Sequence, residues 1–100
     1  MTITFDSIED AKEYVAYITG SDPKIFEKVE GLKVAGMEAF LLDDPETSEE
    51  IKQSIRDKID AQQAFKFTNA KGVEVSIVIG PFRDGFDCWI VGDKGTAVRL

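Results

Sequence analysis

One hundred residues, 43% hydrophobic and 31% charged, make one domain with a real core and exclude a disordered chain. The absence of His and the single Cys88 exclude an internal disulfide and a Cys/His zinc site. A net charge of −7 excludes the broad basic face that direct nucleic-acid binding needs, so no direct nucleic-acid binding is expected. The charge is uneven: residues 1–63 carry fifteen acids and seven bases, while residues 64–100 carry four acids and five bases.

The N-terminal stretch has no base before Lys12 and no long apolar run. Neither a signal peptide nor a membrane anchor is expected, and the cytoplasm is the expected compartment. No repeat, low-complexity tract or linker divides the chain, so residues 1–100 read as a single α+β domain.

In chain order, Thr2-Ile3-Thr4-Phe5 alternates and suits a short N-terminal strand. A helix follows from Asp6 or Ser7, with Asp6 and Glu9 in capping-box spacing. Its apolar face is Ile8, Ala11, Val15 and Ile18, Tyr14 and Tyr17 flank that stripe, and Gly20 ends the helix. Asp22-Pro23 reads as a cap and first turn of a second helix with Ile25, Val29, Leu32, Gly36 and Phe40 as its stripe, flanked by Phe26, Met37 and Leu41. Gly31 and Gly36 each cost about 1 kcal/mol in a helix interior, so a break at Gly31 into two short helices is an alternative. The third helix carries only Ile51, Ile55 and Ile59 as apolar residues, a stripe too narrow for a helix buried on more than one side.

Beyond Gln63 the period drops to two. Phe65 and Phe67, the turn Asn69-Ala70-Lys71-Gly72, and Val73, Val75, Ile77 and Ile79 form a hairpin pattern closed by Gly80-Pro81. A third strand, Cys88-Trp89-Ile90-Val91, and a short fourth run, Thr96 to Leu100, follow turns at Arg83-Asp84-Gly85 and Gly92-Asp93-Lys94-Gly95. The expected architecture is two or three N-terminal helices packed on one face of a three- to four-stranded antiparallel C-terminal meander.

Between Asp43 and Glu50 lie five carboxylates: Asp43, Asp44, Glu46, Glu49 and Glu50. Helix-start chemistry accounts for some of them. Asp44 before Pro45, or Thr47 with Glu50, would cap the third helix at about 1 kcal/mol. The rest form an uncompensated field, extended by Glu38, with no base between Lys33 and Lys52. The stretch lacks the alternating ligands and central Gly of a calcium loop. Phe82, Arg83 and Phe86, around a hairpin tip, are residue types that anchor interfaces, although such a loop also serves to close the end of a core.

Catalysis is poorly equipped, since His, the commonest general base at neutral pH, is absent. Gly31 to Gly36 lacks the ending of a phosphate loop, and no cofactor or metal is implied. Trp89 and Cys88 read as core, the latter a small hydrophobe with no His to activate it. The expected function is a small acidic non-enzymatic protein-binding module, an inhibitor or adaptor that covers a basic, nucleic-acid-binding surface of a partner protein. Its binding residues would be Glu38, Asp43, Asp44, Glu46, Glu49, Glu50, Phe82, Arg83 and Phe86. The rivals are a subunit that forms a homodimer through its C-terminal sheet edge, and a carboxylate-dependent enzyme or ligand-binding domain with a deep acid-lined pocket.

Overall fold

The computed structural model describes residues 3–35, 37–82, 84–92 and 96–100, without the side chains of Pro23, Met37 and Glu38. Thr2, Gly36, Arg83 and the turn Asp93-Lys94-Gly95 therefore lie outside the described residues. Helix α1 (Ile8–Thr19) begins at Ser7 rather than Asp6, the Ser7 hydroxyl accepting the Asp10 N–H at 3.1 Å. It ends at Gly20, as the sequence implies. Ala11 and Val15 of the stripe are fully buried, whereas Ile18 is largely exposed and Ala16 takes its place in the core. Tyr14 packs against Phe5 at 5.4 Å between ring centroids, and Tyr17 stands in solvent.

The expected second helix does not form. Pro23–Ile25 makes one 3-10 turn, with the Asp22 carboxylate accepting the Lys24 N–H at 2.9 Å. The chain then extends as strand β1 (Glu27–Val29). Gly31 turns the backbone at a positive φ of 81°, and Met37–Asp43 forms a 3-10 segment. The physical reason is competition. A helix weakened by two glycines is marginal alone, while β2 offers an open row of backbone groups and an apolar surface on which Phe26 and Val29 pack. Phe26 meets Phe67 edge-on at 4.6 Å.

Helix α2 (Glu49–Asp60) is mostly exposed, as its narrow stripe predicts, with Ile55 buried and Ile59 half-buried, but the third stripe residue, Ile51, is exposed. Strands β2 (Gln63–Thr68), β3 (Glu74–Phe82), β4 (Gly85–Val91) and β5 (Ala97–Arg99) follow. With β1 they form one antiparallel sheet of five strands in sequence order, one or two more than expected. Strand β3 runs through Gly80-Pro81, which pair with Asp87 and Phe86 instead of ending the strand. Proline is tolerated there because β3 is near its end, where a ladder donor is dispensable.

The sheet is covered on both faces, not one. On the first face Phe65, Phe67, Ile77, Ile79 and Cys88 pack with Ala11 and Val15 of α1. The intervening residues point the other way, as strand geometry demands. Ala64 and Val78 form the second core with Val34, flanked by Trp89 and Val91. Ile77, Val78 and Ile79 are each fully buried, so both faces of β3 are committed. Each such side chain contributes about 1.5–3 kcal/mol on burial. Trp89 is thus half-buried on the second face, opposite Cys88. The N-terminal segment adds no separate strand but continues the β5 edge: Phe5 and Phe86 exchange two backbone hydrogen bonds of 2.8 Å, and the Ile3 N–H donates to the Leu100 carbonyl at 3.1 Å. No helix among the described residues is long and apolar enough to cross a membrane.

Candidate functional site

The 3-10 segment Met37–Asp43 packs against α2, and the acidic stretch joins them. Asp44 does not cap the helix. Its carboxylate accepts the Glu46 N–H at 2.9 Å, and its carbonyl accepts the Thr47 N–H at 3.2 Å, so Asp44 to Thr47 is a tight turn of its own. With the Asp44 oxygen so used, the next extended residue bearing a hydroxyl becomes the cap. The Ser48 hydroxyl accepts the Ile51 N–H at 3.3 Å, which makes Ser48, not Asp44 or Thr47, the start of α2.

Local chemistry therefore uses one carboxylate of the five. Asp43, Glu46, Glu49 and Glu50 are exposed and Asp44 is half-buried. Glu49 lies 3.8 Å from both Lys52 and Arg56, long contacts on an 80% exposed side chain that neutralise little. Asp43, Glu46 and Glu50 make no ion pair among the described residues. Two apolar side chains missed in the sequence stand on the same two elements: Phe40 on the 3-10 segment, 67% exposed, and Ile51 in the first turn of α2, 51% exposed. Phe40 was hidden because a helical stripe assigned it to the core. The i+4 spacing of Ile51 likewise implies burial, but in the structure the position is exposed.

The remaining expected residues are spread out. Glu38 and Arg83 lie outside the described side chains. Phe86 is half-buried and packs against the first core, while Phe82 turns to the second face under the Arg99 guanidinium, 3.8 Å from its ring centroid. Glu50 of α2 shares one shallow groove with Pro81, so the acidic helix abuts the end of β3.

Behind α2, a cleft of about 520 Å³ opens between the helix and the second sheet face. Ile55 and Ile59 form its helix wall, Val34 and Trp89 its sheet wall, and Lys58 and Arg99 bring positive charge. Its floor is held by Gln62, whose amide accepts from the Val34 N–H and donates to the Val34 carbonyl, both at 2.9 Å. Gly80 permits this: a Cβ there would lie 2.6 Å from Gln62 Cγ. Lys33 donates to the carbonyls of Asp60 and Gln62 at 3.0 and 2.9 Å, tying the same loop to the end of α2.

Asp87 and Arg99, on neighbouring strands, meet in this cleft with Asp87 Oδ2 3.0 Å from Arg99 Nη2. Burial raises the Asp87 pKa above the ordinary aspartate value, and the Arg99 charge and the Trp89 indole pull it back only in part. The signal for the pair is weak in the sequence: Arg99 falls inside the run Thr96 to Leu100, but Asp87 stands just before the expected strand Cys88 to Val91. On the other face, burial and the Asp87 charge push the Cys88 thiol up to about 12. It stays protonated at neutral pH and is no nucleophile. No group of three or more potential metal ligands occurs among the described residues.

Comparison with family models, with curated proteins and with solved structures yields no match, so function is argued from this geometry alone.

Proposed function

We propose that this chain is a small non-enzymatic protein-binding module whose acidic surface, Asp43, Asp44, Glu46, Glu49 and Glu50, engages a basic surface of a partner protein, in the manner of an inhibitor or adaptor. The observation that carries the reading is the surplus: the turn consumes one carboxylate, the bases of α2 reach one more, and three make no ion pair among the described residues, on a stretch joining the elements that carry exposed Phe40 and Ile51. Charge of one sign gathered on one surface raises the association rate, and desolvated aromatics hold the complex once formed. Phe82 and Phe86 are half-buried, so their share of the contact is smaller than that of Phe40.

The rival of assembly through a sheet edge has little material. Strands β1 and β5 are three residues each, and Ile3 to Phe5 only continue the β5 lane along β4, so each edge offers a short row for pairing. The proposal is tested by capture from the native cell with three forms: wild type, a form with Asp43, Asp44, Glu46, Glu49 and Glu50 replaced by their amides, and Phe40→Ser. A protein with a basic surface retained by wild type and lost by both variants supports the reading. Equal retention by wild type and the amide form removes it.

A further inference from the structure

The cleft behind α2 is chemically unlike the rest of the molecule. The chain as a whole is strongly acidic, yet among the described residues two of the three charged side chains at this cleft are cationic. Its volume of about 520 Å³ lies within the roughly 300–1,000 Å³ typical of small-molecule sites. Its walls are aliphatic and aromatic, and its few polar groups converge, the arrangement that orients a ligand by one end.

The two cations differ in how far they are compensated. Arg99 is held by ring stacking on Phe82 and by the Asp87 carboxylate, 3.0 Å from Nη2, while its buried Nε finds no hydrogen-bond acceptor among the described residues. Lys58, on the opposite wall, has no ion-pair partner among the described residues. Among the described residues one carboxylate thus faces two cations, and an entering anion would restore the balance in a partly dehydrated space where charge counts for more than in water. The Trp89 ring and the side chains of Val34 and Ile55 offer a flat, apolar complement for the remainder of such a molecule.

We infer that this cleft is a binding site for a small organic monoanion with a flat apolar body, its acid group lying between Lys58 and Arg99 and its body against Trp89. Glu50 of the acidic stretch lines the groove next to this cleft, at Lys58 and Pro81, but neither reading depends on the other. Trp89, the single tryptophan of the chain, forms part of its wall and reports directly on it.

The test titrates the intact protein with anilinonaphthalene sulfonate and, in parallel, with the uncharged phenylnaphthylamine, following the Trp89 indole cross-peak in a nitrogen–proton correlation spectrum. The sulfonate is expected to shift that peak saturably and to bind more tightly than the neutral amine. Lys58→Gln, at an exposed helix position that folding does not need, is expected to weaken the sulfonate about tenfold, the effect of one charge-assisted contact, and to leave the amine unchanged. An unmoved indole peak, equal affinities for the two probes, or a sulfonate affinity indifferent to Lys58→Gln would each overturn the inference.

Discussion

Asp87 shows how a residue's placement reverses its usual part in stability. Most native carboxylates are stabilised by ionisation, whereas Asp87 is held above the ordinary aspartate value because burial outweighs the Arg99 charge. A raised folded-state pKa means the native protein binds the proton more tightly than the unfolded chain. The Asp87 contribution is therefore most favourable below the ordinary aspartate range and declines as pH climbs through the raised value. Urea midpoints of wild type and Asp87→Asn, measured across that window, are expected to show the wild-type advantage shrinking as pH rises. A gap that widened with pH would mean that Arg99 pairing dominates burial. Sequence left Asp87 just before the expected strand Cys88 to Val91 and could not set its environment, because the balance of the two effects depends on Arg99 arriving from β5.

At the scale of elements, legibility followed the strength of the local signal. The β2–β3 hairpin and α1 were plain, since alternating Phe65, Phe67, Val75, Ile77 and Ile79 and a capped helical stripe each agree with their surroundings. Residues 22–41 misled because Ile25, Val29, Leu32 and Phe40 keep helical spacing while Gly31 and Gly36 undercut the helix, and the decision fell to the open edge of β2. The cap of α2 moved to Ser48 for a similar reason, the Asp44 oxygen being engaged in its own turn. Gln62 is the element-scale device that no periodicity reveals, fastening the loop at Val34 to the sheet through two hydrogen bonds. Gln62→Ala leaves the Val34 N–H and carbonyl, on a residue only 8% exposed, without those partners. An expected loss of about 1–3 kcal/mol in chemical denaturation, with hydrogen exchange at Val34 accelerated first, checks this.

Over the whole molecule, the sheet separates two characters. One face is an apolar core under α1; the other carries the cleft lined by Lys58 and Arg99, and Glu50 of the acidic stretch lines the groove that adjoins this cleft at Lys58 and Pro81. The split of charge between residues 1–63 and 64–100 was legible as composition. That α2 would stand over the second face was not, because it follows from the register that sends Val78 and Trp89 away from α1. The central claim is that the carboxylates of Asp43 to Glu50 steer a basic partner. The measurement that bears on it most directly is the association rate with a captured partner, followed from low to physiological ionic strength. The account predicts a rate that falls at least several-fold as the Debye length shortens to about 8 Å, a slope flattened in the amide form, and a dissociation rate raised chiefly by Phe40→Ser. A wild-type association rate that stays constant over that range of salt would contradict it.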